Sequence, residues 1–396
     1  MAASQQLLSL SSFQGGNYIN NFNNDAPYGI FVSAHSDSQY ALNNIFVVLK
    51  NGTQMSLSAI RKISQASGPL VPYVVTDSAY LTTSLTTNQL ASLNGVIYLS
   101  TTAQLNKNFN VYDIASATNF DLRTAMEDTT SLFLNTHMGT NPYRSTVISG
   151  WKQDGSTSSY LYTGVPLDSV EPKYHQIFSN PMHTSSDYSQ TVFFSNVEKF
   201  SLATTVAFYL KTFNGGPSFR IEPSYFNIDA STTTSTTTTG FFMKPKDGVE
   251  TSTTVHIRRD TKYSGTSGAS TLGSLERGGM VSVSVNDGSY HHDENGVLND
   301  FGSPWSIPYI GENIKISSTN AKSGVYYVQY FVQQGPLKSA TTAKPPIPVP
   351  TVPGTANPPI PVPTIPGRTE TTTKSSVTRQ LFVVLASVVS FLVLCK

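Results

Sequence analysis

Between Val192 and Gln333 apolar and polar residues alternate with a period of two, which suits extended strands with one buried face and excludes amphipathic helices. Val281, Val283 and Val285 alternate with Ser282 and Ser284, and Asn286-Asp287-Gly288 then supplies a turn with easy positive φ. Phe219 and Ile221 alternate with Arg220 and Glu222 after the turn-forming Asn214-Gly215-Gly216-Pro217. Val255 and Ile257 alternate with Thr254, His256 and Arg258. The run VYYVQYFV, Val325–Val332, is apolar at nearly every position, as in a strand covered on both faces. Short strands separated by Gly, Asn and Pro imply an antiparallel, jelly-roll-like β-sandwich.

The N-terminal third is more mixed. Gly29–Ser33, Ile45–Leu49, Leu70–Thr76 and Val96–Leu99 read as strands. Leu57, Ile60 and Ile63 recur every three residues and stop near Gly68, which predicts a short helix. Leu122–Asn135 is expected to be a second one. The fold class is therefore mainly β, with sandwich modules and one or two short helices. The expected organisation is an N-terminal segment (1–25), a mostly-β module (26–142), a sandwich module (143–336), a stalk (337–374) and an apolar tail (375–396).

Composition limits the function. Charged residues make up 12% of the 396, about half the ~25% of an ordinary soluble domain. A net charge of +1 excludes a basic nucleic-acid binder, so no nucleic-acid partner is expected. The single cysteine, Cys395, excludes an internal disulfide framework and a thiolate zinc site.

The two ends carry the topology. Leu381–Cys395 is a fifteen-residue uncharged stretch closed by Lys396, short for a spanning helix and suited to the removable tail of a GPI signal. The expected lipid attachment residue is Ser375 or Ser376, with Gly367 as the choice for a longer spacer and a single-span anchor as the alternative. Before it, Pro345–Gly367 holds PPIPVPTVPGTAN and its near-copy PPIPVPTIPG, with ten of the 23 prolines. Fixed φ and missing N–H groups favour polyproline II, a semi-rigid spacer of roughly 70 Å at ~3.1 Å per residue. The Ser/Thr flanks 339–342 and 369–376 suit O-glycosylation. Residues 1–10 lack a basic n-region and an apolar h-region, so a signal peptide upstream of this start is expected. Asn51-Gly52-Thr53 is an N-glycosylation sequon, and Ser231–Thr239 reads as an exposed glycosylated loop or a Thr-rich edge strand. The expected location is the outer side of the plasma membrane, with the membrane itself engaged by the tail.

No motif for catalysis appears: there is no G-x-S-x-G elbow, P-loop or G-x-G-x-x-G. The adjacent His291 and His292 point to opposite faces of a strand and do not make a zinc site. Asp287, Asp293 and Asp300 are hard oxygen donors and the candidates for calcium, although ordinary solvated turns are the expected reading and no cofactor is predicted. His256 reads as an exposed strand residue, and the carboxylate pairs Asp260/Glu276 and Asp121/Glu127 are unspecific. Tyr326, Tyr327, Tyr330 and Phe331 read as core rather than a sugar-stacking platform. Trp151 and Trp305 lie beside Gly or Pro in expected loops, where an indole would be a candidate glycan contact.

The stretch PYIGENIKISSTNAKSGVYYVQYF resembles the closing hairpin of a CUB-type sandwich, with Ile314, Ile316, Ser317, Ser318, Gly324, Val325 and Tyr330 in the matching places. NNIFVVLKNGTQMSLSAIRKISQASG and the order of β modules, Thr/Pro-rich stretch and apolar tail are similar to nematode CUB-like surface proteins. The body lacks the Cys pairs usual in that family. The resemblance implies a CUB-like fold and a secreted or tethered, non-catalytic protein linked to stress or innate immune responses. A binding or protective role towards an extracellular ligand is expected; a lectin-like glycan module and a glycosidase-type enzyme are the alternatives.

Overall fold

The computed structural model describes residues 6–62, 68–124, 127–136, 144–167, 176–203, 205–225, 231–250, 252–286, 290–295 and 304–338. They build three β-sandwiches within one compact unit, 1–339.

In the first sandwich, Gln6–Ser9, Gly95–Leu99, Tyr28–Ala34 and Tyr73–Val75 form one antiparallel sheet. Asn20–Asn21, Ala79–Thr83, Ile45–Leu49 and Gln54–Ser56 form the other. Ile30, Val32, Ile97 and Leu99 meet Ile45, Val47 and Leu81 between them, and the helix Leu57–Lys62 buries Leu57 and Ile60 in the same core. That helix is where the three-residue spacing placed it. Two further short helices, Thr87–Ala91 and Thr102–Leu105, start at reciprocal capping boxes, Thr86 with Gln89 and Thr101 with Gln104.

In the middle sandwich, Gln176–Asn180, Ser158–Thr163, Ala207–Phe213, Thr129–Leu134 and Phe109–Asp113 form a sheet whose last pair is parallel. It faces Thr118–Asp121, Ser218–Tyr225, Arg144–Lys152 and Phe200–Ala203. The last sandwich opposes Asn196–Val197, Thr238–Lys244, Val325–Leu337, Tyr263–Ser274 and Trp305–Ile307 to Ser231–Thr234, Ser252–Arg258, Asn313–Thr319, Met280–Val285 and Tyr290–Asn295. Ser231–Thr234 is an edge strand, parallel to Ser252–Arg258.

The sandwiches share walls. Phe31, Val96 and Tyr98 leave the first core on the opposite face of their sheet and pack against Val111, Leu132, Leu134 and Tyr209 of the middle one. Phe241, Met243, Leu272 and Tyr327 of the last sandwich enter the middle core beside Phe178 and Phe200. Their strand neighbours Phe242, Tyr326 and Val328 face the last core. Tyr28–Ala34 and Gly95–Leu99 are accordingly buried at every residue.

Three expectations change. Leu122–Asn135 is not helical: Thr129–Leu134 is a strand, because Leu132 and Leu134 face one core while Phe133 faces the other, and an apolar run served on both faces loses its period of two. Strands from both sides of 142 share the middle sandwich, since Thr129–Leu134 lies between Phe109–Asp113 and Ala207–Phe213, and the first sandwich closes with Gly95–Leu99. The expected closing hairpin is not a hairpin. Asn313–Thr319 pairs with Ser252–Arg258 and Met280–Val285, Val325–Leu337 pairs in the opposite sheet, and residues 320–324 carry the chain across. The stalk beyond Lys338 and the apolar tail lie outside the described residues.

Candidate functional site

Both tryptophans are core residues rather than loop contacts. Trp151 sits in Arg144–Lys152, stacks on Phe219 at 5.4 Å and donates its indole N–H to Gln153 Oε1 at 3.0 Å. Trp305 opens Trp305–Ile307 and lies 4.7 Å from the Tyr290 ring and 5.4 Å from that of His292. They are 6% and 5% exposed, so neither is presented to a glycan. A large apolar ring in a strand gains more from burial than from exposure, and the neighbouring Gly150 and Pro304 adjoin strand positions here rather than loops. Tyr326, Tyr327, Tyr330 and Phe331 are buried too.

Of the calcium candidates, Asp287 and Asp300 lie outside the described residues. Asp293 accepts from the Ser282 hydroxyl and pairs with His291 Nε2 at 2.9 Å, so its neighbours are donors rather than further oxygen ligands. Among the described residues no group of three or more His, Cys, Asp or Glu converges on one point. His291 and His292 do face opposite ways, towards Ser282 and Trp305 respectively. His256 is exposed on its strand. The carboxylate pairs are each engaged separately: Asp121 with Arg123, Glu127 with Asn108, Asp260 with the Lys262 N–H, and Glu276 with the Ser323 N–H.

Asn51 occupies an exposed turn after Ile45–Leu49, where its Oδ1 accepts from the Thr53 N–H at 2.9 Å and Gly52 takes φ +84°. The sequon is thus open to solvent. Ser375 and Ser376 lie outside the described residues.

The feature that sequence reasoning missed is a cleft of about 670 Å³ where the helix Leu57–Lys62 of the first sandwich meets Phe109–Asp113 and the 116–120 segment of the middle one. Arg61 donates through Nε to Asp113 Oδ2 at 2.9 Å and also through its terminal nitrogen. Ser33 donates its hydroxyl to Asp113 Oδ1 at 2.5 Å and lies 3.0 Å from the Thr136 hydroxyl. Burial pushes the Asp113 carboxyl above the usual range, and Arg61 and Ser33 only partly offset this. Lys62, exposed at the helix end, makes no ion pair among the described residues. Gln39, Asn119, Ser58, Ser116, Thr118, Tyr112 and Phe120 add amides, hydroxyls and rings, and Gly68, Leu70 and Ala117 complete the wall. Arg61-Lys62 and the polar run Ser116–Asn119 were visible in the sequence, but their meeting depends on how two sandwiches dock.

A family model described as a transmembrane glycoprotein matches residues 25–390, covering the sandwiches from Tyr28–Ala34 onward and most of the tail. No curated protein matches. The family match overturns the resemblance to nematode CUB-like proteins, which rested on alternating apolar residues common to sandwich strands and on the hairpin that does not form. No helix among the described residues is long and apolar enough to cross a membrane.

Proposed function

We propose, from the premise that the chain belongs to the transmembrane glycoprotein family, that it is a surface glycoprotein whose sandwiches stand outside the cell and act by binding or shielding. The stretch Leu381–Cys395 commits it to the bilayer, either as the removable signal that directs a lipid anchor to Ser375 or Ser376 or as a short span that stays in place. The observation that carries this reading is the match to residues 25–390, which joins the folded body and the apolar tail in one family. The open sequon at Asn51 supports an extracellular address. The immune or stress role rested on the overturned resemblance and has no other support.

Peptide N-glycosidase treatment of the protein from its own cells tests the compartment. A mobility shift that disappears in Asn51→Gln is expected, and an unglycosylated protein free in the cytosol overturns the reading. Phosphatidylinositol-specific phospholipase C applied to intact cells tests the anchor: release indicates lipid, and retention against alkaline carbonate indicates a span.

Binding is favoured over glycoside hydrolysis by the cleft itself. Among the described residues Asp113 is the one carboxylate on its wall and is committed to Arg61, whereas hydrolysis employs two carboxyl groups across the scissile bond.

A further inference from the structure

We propose that the cleft between the first and middle sandwiches is a binding site for an acidic saccharide, a short glycan carrying a carboxylate, with Lys62 facing the acid group and Gln39 and Asn119 reading the hydroxyls. The inference rests on the reading of this chain as an extracellular binding protein and names its ligand class.

Charge comes first. Among the described residues Arg61 and Lys62 bring two cations to the wall against the single carboxylate of Asp113, which is neutralised by Arg61. The surplus is one positive charge at Lys62. Lys62 is exposed, so its ammonium attracts an anion modestly and more strongly at low ionic strength. The ion pair beneath it keeps Arg61 fixed, so the helix end that carries Lys62 is held against the middle sandwich.

The remaining lining argues for a sugar rather than a bare inorganic anion. The space is many times the volume of such an ion and falls within the ~300–1,000 Å³ usual for small-ligand sites. Its polar groups are amides and hydroxyls, which donate and accept alike and so match the hydroxyls of a saccharide. Gln39 is already oriented, its Nε2 donating to the Ala34 carbonyl at 2.9 Å. That bond fixes the amide plane and so the direction of its oxygen. The Tyr112 ring belongs to the same wall. That ring is itself immobilised, stacked on Phe133 at 5.3 Å and met edge-on by Phe120 at 5.3 Å. Walls set before the ligand arrives reduce the ordering cost of binding.

The test uses the full-length chain in detergent, offered sialylated, uronic-acid-containing, sulfated and neutral oligosaccharides. The expected result is binding of a carboxylated glycan at least tenfold tighter than its neutral counterpart. Lys62→Glu should weaken it tenfold or more, and Asn119→Ala about fivefold. Lys50→Glu, exposed and paired with Asp77 outside the cleft, should leave it unchanged. Unaltered thermal unfolding of the variants shows that binding, not folding, was lost. Carboxylated glycans bound at full strength by both Lys62→Glu and Asn119→Ala overturn the site while leaving a glycan-binding protein. Equal affinity for neutral and carboxylated forms, or preference for sulfated forms, overturns the carboxylate assignment. A chain that binds none of them, yet is glycosylated at the cell surface, overturns this inference and leaves the surface reading standing.

Discussion

Gln329 and Ser179 are 150 positions apart in the chain and pair as two strands would: the Gln329 side-chain oxygen accepts from the Ser179 N–H at 3.0 Å, and its NH₂ donates to the Ser179 carbonyl at 2.8 Å. The same NH₂ reaches the Thr239 hydroxyl at 3.1 Å. A buried amide thereby extends the edge of the middle sandwich's sheet onto the central strand of the last.

Replacing Gln329 with Leu keeps the volume and removes the pairing. Both Ser179 backbone groups then lose their partner in a dry interface, at a cost of about 2–4 kcal/mol. Urea unfolding of the full chain should show the midpoint falling with the slope unchanged. An unshifted midpoint would mean that water replaces the amide.

Lys244 is 1% exposed, and its ammonium donates to the carbonyls of Ala321, Lys322 and Gly324 at 2.6, 2.6 and 2.7 Å. It thus fastens the segment that carries the chain between the two sheets of the last sandwich. Burial lowers its pKa below that of an ordinary lysine. Lys244→Met strands three carbonyls and should cost about 3 kcal/mol, and Lys244→Arg should not restore the loss, because a planar fork cannot point three donors into one small cage. Thermal unfolding of both variants checks this.

Asp113→Asn places an NH₂ among the Arg61 and Ser33 groups that donate to this carboxyl, a donor against donors at any pH, which should cost about 3 kcal/mol. The pH dependence has a definite sign. Because the folded Asp113 pKa lies above the unfolded 3.8, the native state holds more protons between those two values, and stability from this group falls as pH rises through that window. The advantage of the native protein over Asp113→Asn should therefore be largest below the window and shrink towards neutrality. Unfolding midpoints measured across the acid range decide it, and an advantage that grows with pH contradicts the assignment.

Trp151→Ala should lower stability by about 3–5 kcal/mol, since it empties a ring-filled core. Trp151→Phe, which keeps most of the stacking on Phe219, should bind glycans like the native protein. Loss of binding in a folded Trp151→Phe would return the indole to the site.

How far the sequence could be read depended on how many faces of each strand are covered. Where one face meets solvent, as in Ser252–Arg258 with Val255 and Ile257 buried and His256 exposed, the period of two was plain. Val325–Val332 announced a doubly covered strand by its length and aromatic content. Thr129–Leu134 has the same environment but is shorter and flanked by helix formers, so it read as a helix. The capping boxes at Thr86 and Thr101 are four-residue signals legible in the sequence itself. The cleft was not legible, because Ser33, Arg61 and Asp113 come from separate segments and converge only once two sheets stack.

The shared walls also bear on how this protein can be divided. A cut between any two sandwiches strips one face of a sheet bearing residues such as Phe31 and Tyr98, or Phe241 and Tyr327, and leaves a sticky plane. Fragments should clump where the whole stays dispersed, and such a body does not lend itself to the piecemeal swapping of repeats by which beads-on-a-string receptors diversify.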